Sequence, residues 1–152
     1  MNAVFAWNRE AIRIYRNEKL ADKHIPEMIE QEIDRAMISL GMRFTSKSST
    51  ADYLIFYIAG LESDLHDSEI LKQYGLLPGN HPVINDPSSE IGSLIVYVID
   101  RVHRSIVWHA VAQTQVYFSM NDRMQKKQIG YIIRNMVGSL PLEQYSRSYY
   151  LR

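Results

Sequence analysis

Gly92-Ser93-Leu94-Ile95-Val96-Tyr97-Val98-Ile99-Asp100, followed after a short polar link by Ile106-Val107-Trp108-His109-Ala110-Val111-Ala112-Gln113-Thr114-Gln115-Val116-Tyr117-Phe118, decides the fold. Both runs are rich in β-branched and aromatic residues, which suit a pleated, half-buried surface. The link 101–105 is short enough to make them a hairpin with strands at 93–100 and 106–118. Side chains alternate across a strand. Ile106, Trp108, Ala110, Ala112, Thr114 and Val116 therefore share one face, and Val107, His109, Val111, Gln113, Gln115 and Tyr117 share the other. The first face is the more apolar and is expected to pack on helices.

Helical periodicity lies on either side of the hairpin. Downstream, Asn121 or Asp122 caps a final helix with the stripe Ile129, Ile132, Ile133, Met136, Val137 and Leu140, ended by Gly138 and Pro141. Upstream, Ile25, Met28, Ile29, Ile33, Ala36, Met37 and Leu40 recur at three- and four-residue steps, which predicts a helix over 23–40. Asp22 is its expected N-cap, Pro26 sits harmlessly in its first turn, and Gly41 is its stop. Residues 3–7 and 52–59 read as strands, the second apolar on both faces. The polar stretch 8–21 has room for a helical turn. Residues 60–90 are broken by Gly60, Gly75, Pro78, Gly79, Pro82 and Pro87 and read as an irregular insertion with a short helix near 67–74. Glu143 onward is a polar, tyrosine-rich tail. The order is β-α-β-β-β-α, which predicts an α+β two-layer sandwich: a mixed sheet of roughly four strands with two helices on one face. One domain spans 1–142, with the insertion at 60–90 and the tail at 143–152.

Composition narrows the function. The chain has 152 residues, no cysteine, and 17 basic against 17 acidic side chains. Zero net charge removes the bulk electrostatic footprint of a nucleic-acid binder, and the lack of cysteine removes disulfides, thiolate metal sites and thiol nucleophiles. No apolar run reaches the length that spans a bilayer.

Four stretches resemble the DUF4136 family of bacterial lipoproteins. They are the opening strand Val4-Phe5-Ala6-Trp7; the helix end Leu40-Gly41-Met42-Arg43 with the following Ser49-Thr50-Ala51-Asp52-Tyr53-Leu54-Ile55; the hairpin with its strand ending in Asp100 and its Ile106-Val107-Trp108; and the helix end Met136-Val137-Gly138-Ser139-Leu140-Pro141. The likeness covers residues 3–142. It departs at the hairpin turn, where the family carries glycine and this chain has Val102-His103-Arg104. The family's signal peptide and lipidated cysteine have no counterpart in this chain. The resemblance implies a periplasmic or outer-membrane-tethered domain, reaching a membrane only through an anchor absent from this chain. It carries over no catalytic residues.

No template for catalysis is met. The histidines at 24, 66, 81, 103 and 109 lack metal-ligand spacing, although His103 and His109 flank the hairpin. Glu62, Asp64, His66, Asp67 and Glu69 form an acidic patch without the spacing of a calcium loop. There is no nucleophile elbow, phosphate loop or dinucleotide motif, so no cofactor is expected. Arg123, Lys126, Lys127 and Arg134 share the outer side of the last helix, as a solvated face does. Tyrosine, apolar in body and polar at its tip, suits interfaces. Tyr53, Tyr57, Tyr97 and Tyr117 are expected to line an open sheet face. With His66 and His81 of the insertion they form the candidate binding surface, for an unidentified protein or small ligand. The functional expectation is a non-enzymatic cell-envelope domain. The alternative is a hydrolase-like enzyme using His66, Asp67 and His81.

Overall fold

The computed structural model describes residues 3–21, 23–65 and 87–140. In chain order these hold β1 (Val4–Trp7), β2 (Arg13–Ile14), α1 (Ile25–Ser39), β3 (Arg43–Phe44), β4 (Tyr53–Leu61), α2 (Glu62–Leu65), β5 (Ser89–Asp100), β6 (Ser105–Tyr117) and α3 (Asp122–Val137), with single 3-10 turns at Arg9–Ala11, Glu18–Leu20 and Ser48–Thr50. The fold class is the one the sequence predicts, α+β with a mixed sheet. The sheet order is β3-β1-β4-β5-β6, and β2 pairs with β4 beyond the end of β1. β1 and β2 run parallel to β4, and the β4-β5-β6 meander is antiparallel.

The sheet has six strands because two two-residue pieces join the four legible in the sequence. No period can be read over two residues, so β2 and β3 are set by their neighbours. β5 begins four residues before the apolar run that marks it, at Ser89. The insertion is shorter accordingly. Its expected helix near 67–74, like the tail, lies outside the described residues.

α1 and α3 cover one face of the sheet. Ile33, Met37, Ile133 and Val137 are almost fully buried there against Phe5, Ile55, Tyr57 and Val98. The third helix, α2, lies on the other side, where its Leu65 joins Ile95, Tyr97, Phe56, Ile58, Val111 and Tyr15 in a second cluster. β4 is thus packed on both faces, as its two-sided apolar sequence requires. Trp108 packs against the main core but is only half-buried, less than its place on the apolar face suggests. Its strand is the sheet edge, where helix cover runs out.

Caps explain the helix limits. α1 ends in a Schellman motif: Gly41, at φ 87°, donates to the carbonyl of Ile38, and the Met42 N–H reaches that of Met37. Its start differs from expectation. The N-cap is His24, in the left-handed region at φ 53°, and its side chain makes no capping bond; Asp22 lies outside the described residues. α3 is capped by the Asn121 side chain, which accepts from the Met124 N–H at 2.9 Å.

Two acidic residues of the recognised motifs lace strand ends. The Asp52 carboxylate accepts from the Val4 N–H at 3.0 Å, while the Asp52 N–H donates to the Val4 carbonyl. Asp100 closes the hairpin by accepting from the N–H groups of Val102 and His103. Arg104 then takes the left-handed conformation, φ 55°, which glycine adopts without steric cost.

Two outcomes follow. Ile33→Ala, at a site with no exposed surface, is expected to lower unfolding free energy by about 2–4 kcal/mol through the cavity it leaves. Urea denaturation measures this, and a loss within experimental error would mean that α1 is not packed as described. Arg104→Gly is expected to raise stability by about 0.5–1 kcal/mol, the relief of left-handed strain less the entropy of glycine. A fall would show that the turn depends on the arginine side chain.

Candidate functional site

On the helix-facing side, residue size falls sharply along the sheet. Tyr53, Ile55 and Tyr57 of β4 give way to Ala59, Leu94 of β5 to Gly92, and Trp108 of β6 to Ala110, Ala112 and Thr114, with Leu61 and Leu94 the larger residues left at this end. Small side chains cannot reach the helices above them. A cavity of about 450 Å³ opens there, roofed by Ile25 and Ile29 from the start of α1 and by Gln125, Ile129 and Ile132 from α3. Residues 14–21 form one wall. They are held in place by Asn17, which donates to Asp64 at 3.0 Å, and by the Lys19 ammonium 5.0 Å from the Phe118 ring. Lys23 ties the entry of α1 to the Met120 carbonyl at 3.1 Å. At Gly60 a β-carbon would stand 2.8 Å from the Tyr15 β-carbon, so the absence of a side chain lets this wall approach β4.

The lining is mostly apolar, and its polar groups differ in one respect. Gln128 is satisfied: its amide donates to the Thr114 hydroxyl at 3.1 Å and to the Gln115 carbonyl at 3.0 Å. Gln125 is 2% exposed and neither its amide nitrogen nor its carbonyl oxygen has a partner. Leaving such a buried group unpaired costs on the order of 1–3 kcal/mol. The sequence carried a signal for Gln125. It sits four residues before Ile129, so the apolar stripe of α3, extended one turn back, passes through it.

A second polar cluster lies where β1 meets α1. Glu30 accepts from Arg9 at 2.6 Å and from the Tyr57 hydroxyl at 2.8 Å, and the Trp7 indole N–H donates to Asp34 at 3.0 Å. Burial, then the Glu30 carboxylate, push the Tyr57 phenol far above its ordinary range. Burial also raises the Asp34 carboxyl; the Trp7 bond opposes this, and nearby Glu30 adds to it. Each of these contacts ties β1, the turn after it or β4 to α1, which is the work of a structural clamp.

The expected binding residues divide between two faces. Tyr53 and Tyr57 point toward the helices and are buried, because β4 alternates from Tyr53 with its odd-numbered residues inward. They do not line an open sheet face. Tyr97 lies on the opposite side, buried and stacked on Phe56 at 4.5 Å, with the His109 ring 6.1 Å away. Tyr117 shares that side at the far end of β6 and is exposed. His66, Asp67 and His81 lie outside the described residues. His103 pairs with Asp100 at 3.0 Å, not with His109. Burial works against it, but the bonds from His103 and the turn hold the Asp100 carboxyl below its ordinary value. Among the described residues no three His, Asp or Glu side chains converge as a metal site, and no helix is long and apolar enough to cross a membrane. Arg123, Lys126, Lys127 and Arg134 are all exposed.

The chain is similar to known proteins in sequence family and in fold. Residues 3–142 match the family described as a domain of unknown function, DUF4136, and the chain belongs to it. Solved structures share the fold. Protein XCC0632 from Xanthomonas campestris, of the DUF330 family, is 9% identical, with 97% of this chain and 89% of that one covered and a TM-score of 0.55. The PelC dodecamer from Paraburkholderia phytofirmans gives 10% identity, 90% and 84% coverage and a TM-score of 0.52. The hypothetical protein CT253 from Chlamydia trachomatis gives 10%, 98% and 96%, and 0.51. At these identities the likeness concerns the fold. No curated protein matches the sequence.

The Asp34 carboxyl sets a pH dependence. Its native pKa lies above the ordinary 3.8, so between those values the native state holds more protons than the unfolded chain. Its contribution to stability is therefore full below 3.8 and falls away as pH rises through the native value. Asp34→Asn keeps an acceptor for Trp7 and removes the charge. The variant is expected to show a flatter stability profile over that window in urea melts taken across pH. A profile that is unchanged would place the titration elsewhere.

Proposed function

We propose that this chain is a non-catalytic cell-envelope domain, periplasmic or tethered to the outer membrane, that holds a small apolar ligand between its helices and the tapered end of its sheet. The observation that carries the reading is the cavity. Its volume of about 450 Å³ falls in the range of small-molecule sites, roughly 300–1,000 Å³, and its apolar lining with a few polar groups is their usual character. The envelope location is supported by the lipoprotein family that the sequence resembles. The failure of the catalytic templates supports a binding role over the hydrolase-like alternative. Of the expected surface, exposed Tyr117 remains a proposed partner contact, whereas Tyr97 is buried and His66 and His81 lie outside the described residues. Tyr53 and Tyr57 pass from that surface to the core beside the cavity.

Ala112→Leu tests the reading by filling the cavity from its floor. An environment-sensitive polyene fatty acid is expected to gain fluorescence with the native protein. The variant should bind it at least about tenfold more weakly, which corresponds to about 1.4 kcal/mol, while melting no lower. Failure of the native protein to bind, or equal binding by the variant, would overturn the cavity as the ligand site.

A further inference from the structure

We infer that Gln125 reads the head of the ligand, and that the ligand is an apolar chain ending in an uncharged group able to donate and accept a hydrogen bond side by side, as a primary amide does. This inference rests on the cavity being the ligand site. It begins from the two unpartnered atoms of the Gln125 amide, a donor nitrogen and an acceptor oxygen, on a side chain 2% exposed within the cavity lining.

Among the described residues, none supplies the missing partner. Thr114 of the lining and the neighbouring Gln115 carbonyl are already engaged by Gln128. Of the other lining residues from α1 and α3, Ile25, Pro26, Ile29, Ile129 and Ile132 offer no polar side-chain group, Glu27 is exposed to solvent, and Gln128 is already engaged. A hydrocarbon of similar size in place of Gln125 would leave nothing unsatisfied, so a buried amide here disfavours the empty protein. A ligand that supplies both a donor and an acceptor removes that penalty, and one lacking either leaves an atom unpaired.

Charge decides between head groups. A carboxylate could accept from the Gln125 nitrogen but would face its carbonyl oxygen, and no cation stands among the buried lining. The charged or titratable residues that border the cavity, Arg16, Glu18, His24 and Glu27, are all exposed to solvent. An ionised head taken into an apolar site without a partner ion is strongly disfavoured. A quaternary ammonium offers no donor. A methyl ester accepts but does not donate. The primary amide meets both atoms of Gln125 in the paired arrangement that two amides form with each other.

The test uses a matched series with one chain length: decanamide, methyl decanoate, decanoate and decyltrimethylammonium, each competing with the polyene probe on the whole chain. The native protein is expected to prefer decanamide to methyl decanoate by about tenfold or more, the worth of one further net hydrogen bond. Gln125→Met, unbranched and of similar volume, should keep the fold by circular dichroism. It should bind methyl decanoate at least as well as the native protein and bring the amide preference to within about twofold, since the donor and acceptor are gone. Gln125→Leu repeats the measurement should the methionine variant misfold. Equal binding of amide and ester by the native protein would overturn the inference while leaving the cavity as a ligand site. So would a preference that survives both substitutions, or tighter binding of decanoate than of decanamide at neutral pH. If no member of the series displaces the probe, the head-group inference falls. If the probe itself does not bind, the cavity reading falls with it.

Discussion

The fold depends on the two-sided packing and two-edged pairing of β4. Along one edge β4 takes β1 and then β2 in parallel, and along the other it takes all nine of its residues into register with β5. One of its faces is buried under α1 and α3, and the other meets Leu65, Ile95 and Tyr97. A strand in that position cannot shift by one residue without turning Tyr53, Ile55 and Tyr57 out of the core. Its register therefore fixes β5 directly and β6 through β5. Asp52 at its entry, bonded to Val4, fixes where β1 begins.

The same register produces the cavity. Both long helices begin at the end of the sheet where β4 finishes, since α1 leads into β4 and α3 follows β6, a strand parallel to it. The residues opposite those first turns include Ala59, Gly92 and Ala112 beside Leu61 and Leu94, while the later turns meet Tyr57, Val98 and Trp108. Large residues close the core at one end, and small ones hold it open at the other. The clamp formed by Arg9, Glu30 and Tyr57 sits just before the change in size, so the helix roof is anchored beside the open region. A collapse of α1 onto the floor would have to break those bonds.

Most of the fold was legible because its signals are local. The hairpin came from alternation, the two helices from spacing and their ends from Gly41 and Asn121, and the family from short motifs in a fixed order. β2 and β3 were not legible, since two residues carry no period. The His24 cap was not, since a left-handed histidine has no sequence signature. The candidate site was less legible still. Tyr53 and Tyr57 read as surface aromatics because tyrosine commonly lies half-exposed, and only pairing with β5 shows that they point inward. A cavity is a property of small residues on three strands that meet only in space, and no single strand announces it.

Two polar side chains are buried on the apolar stripes of the helices, and the contrast between them separates structure from function. Glu32 of α1 is 4% exposed and faces α3; a β-carbon on Gly130 of α3 would lie 3.0 Å from its carboxylate. It is satisfied within the chain by Arg35 at 3.2 Å, and glycine at position 130 makes room for it. The fold has been shaped around that group. Nothing comparable surrounds Gln125, although Gln128, one turn along the same helix, finds two partners. A helix able to satisfy one glutamine against β6 could satisfy the other or replace it with isoleucine, as it does at 129, 132 and 133. The unpartnered, buried amide in the lining of that cavity is the group that the inferred ligand would satisfy.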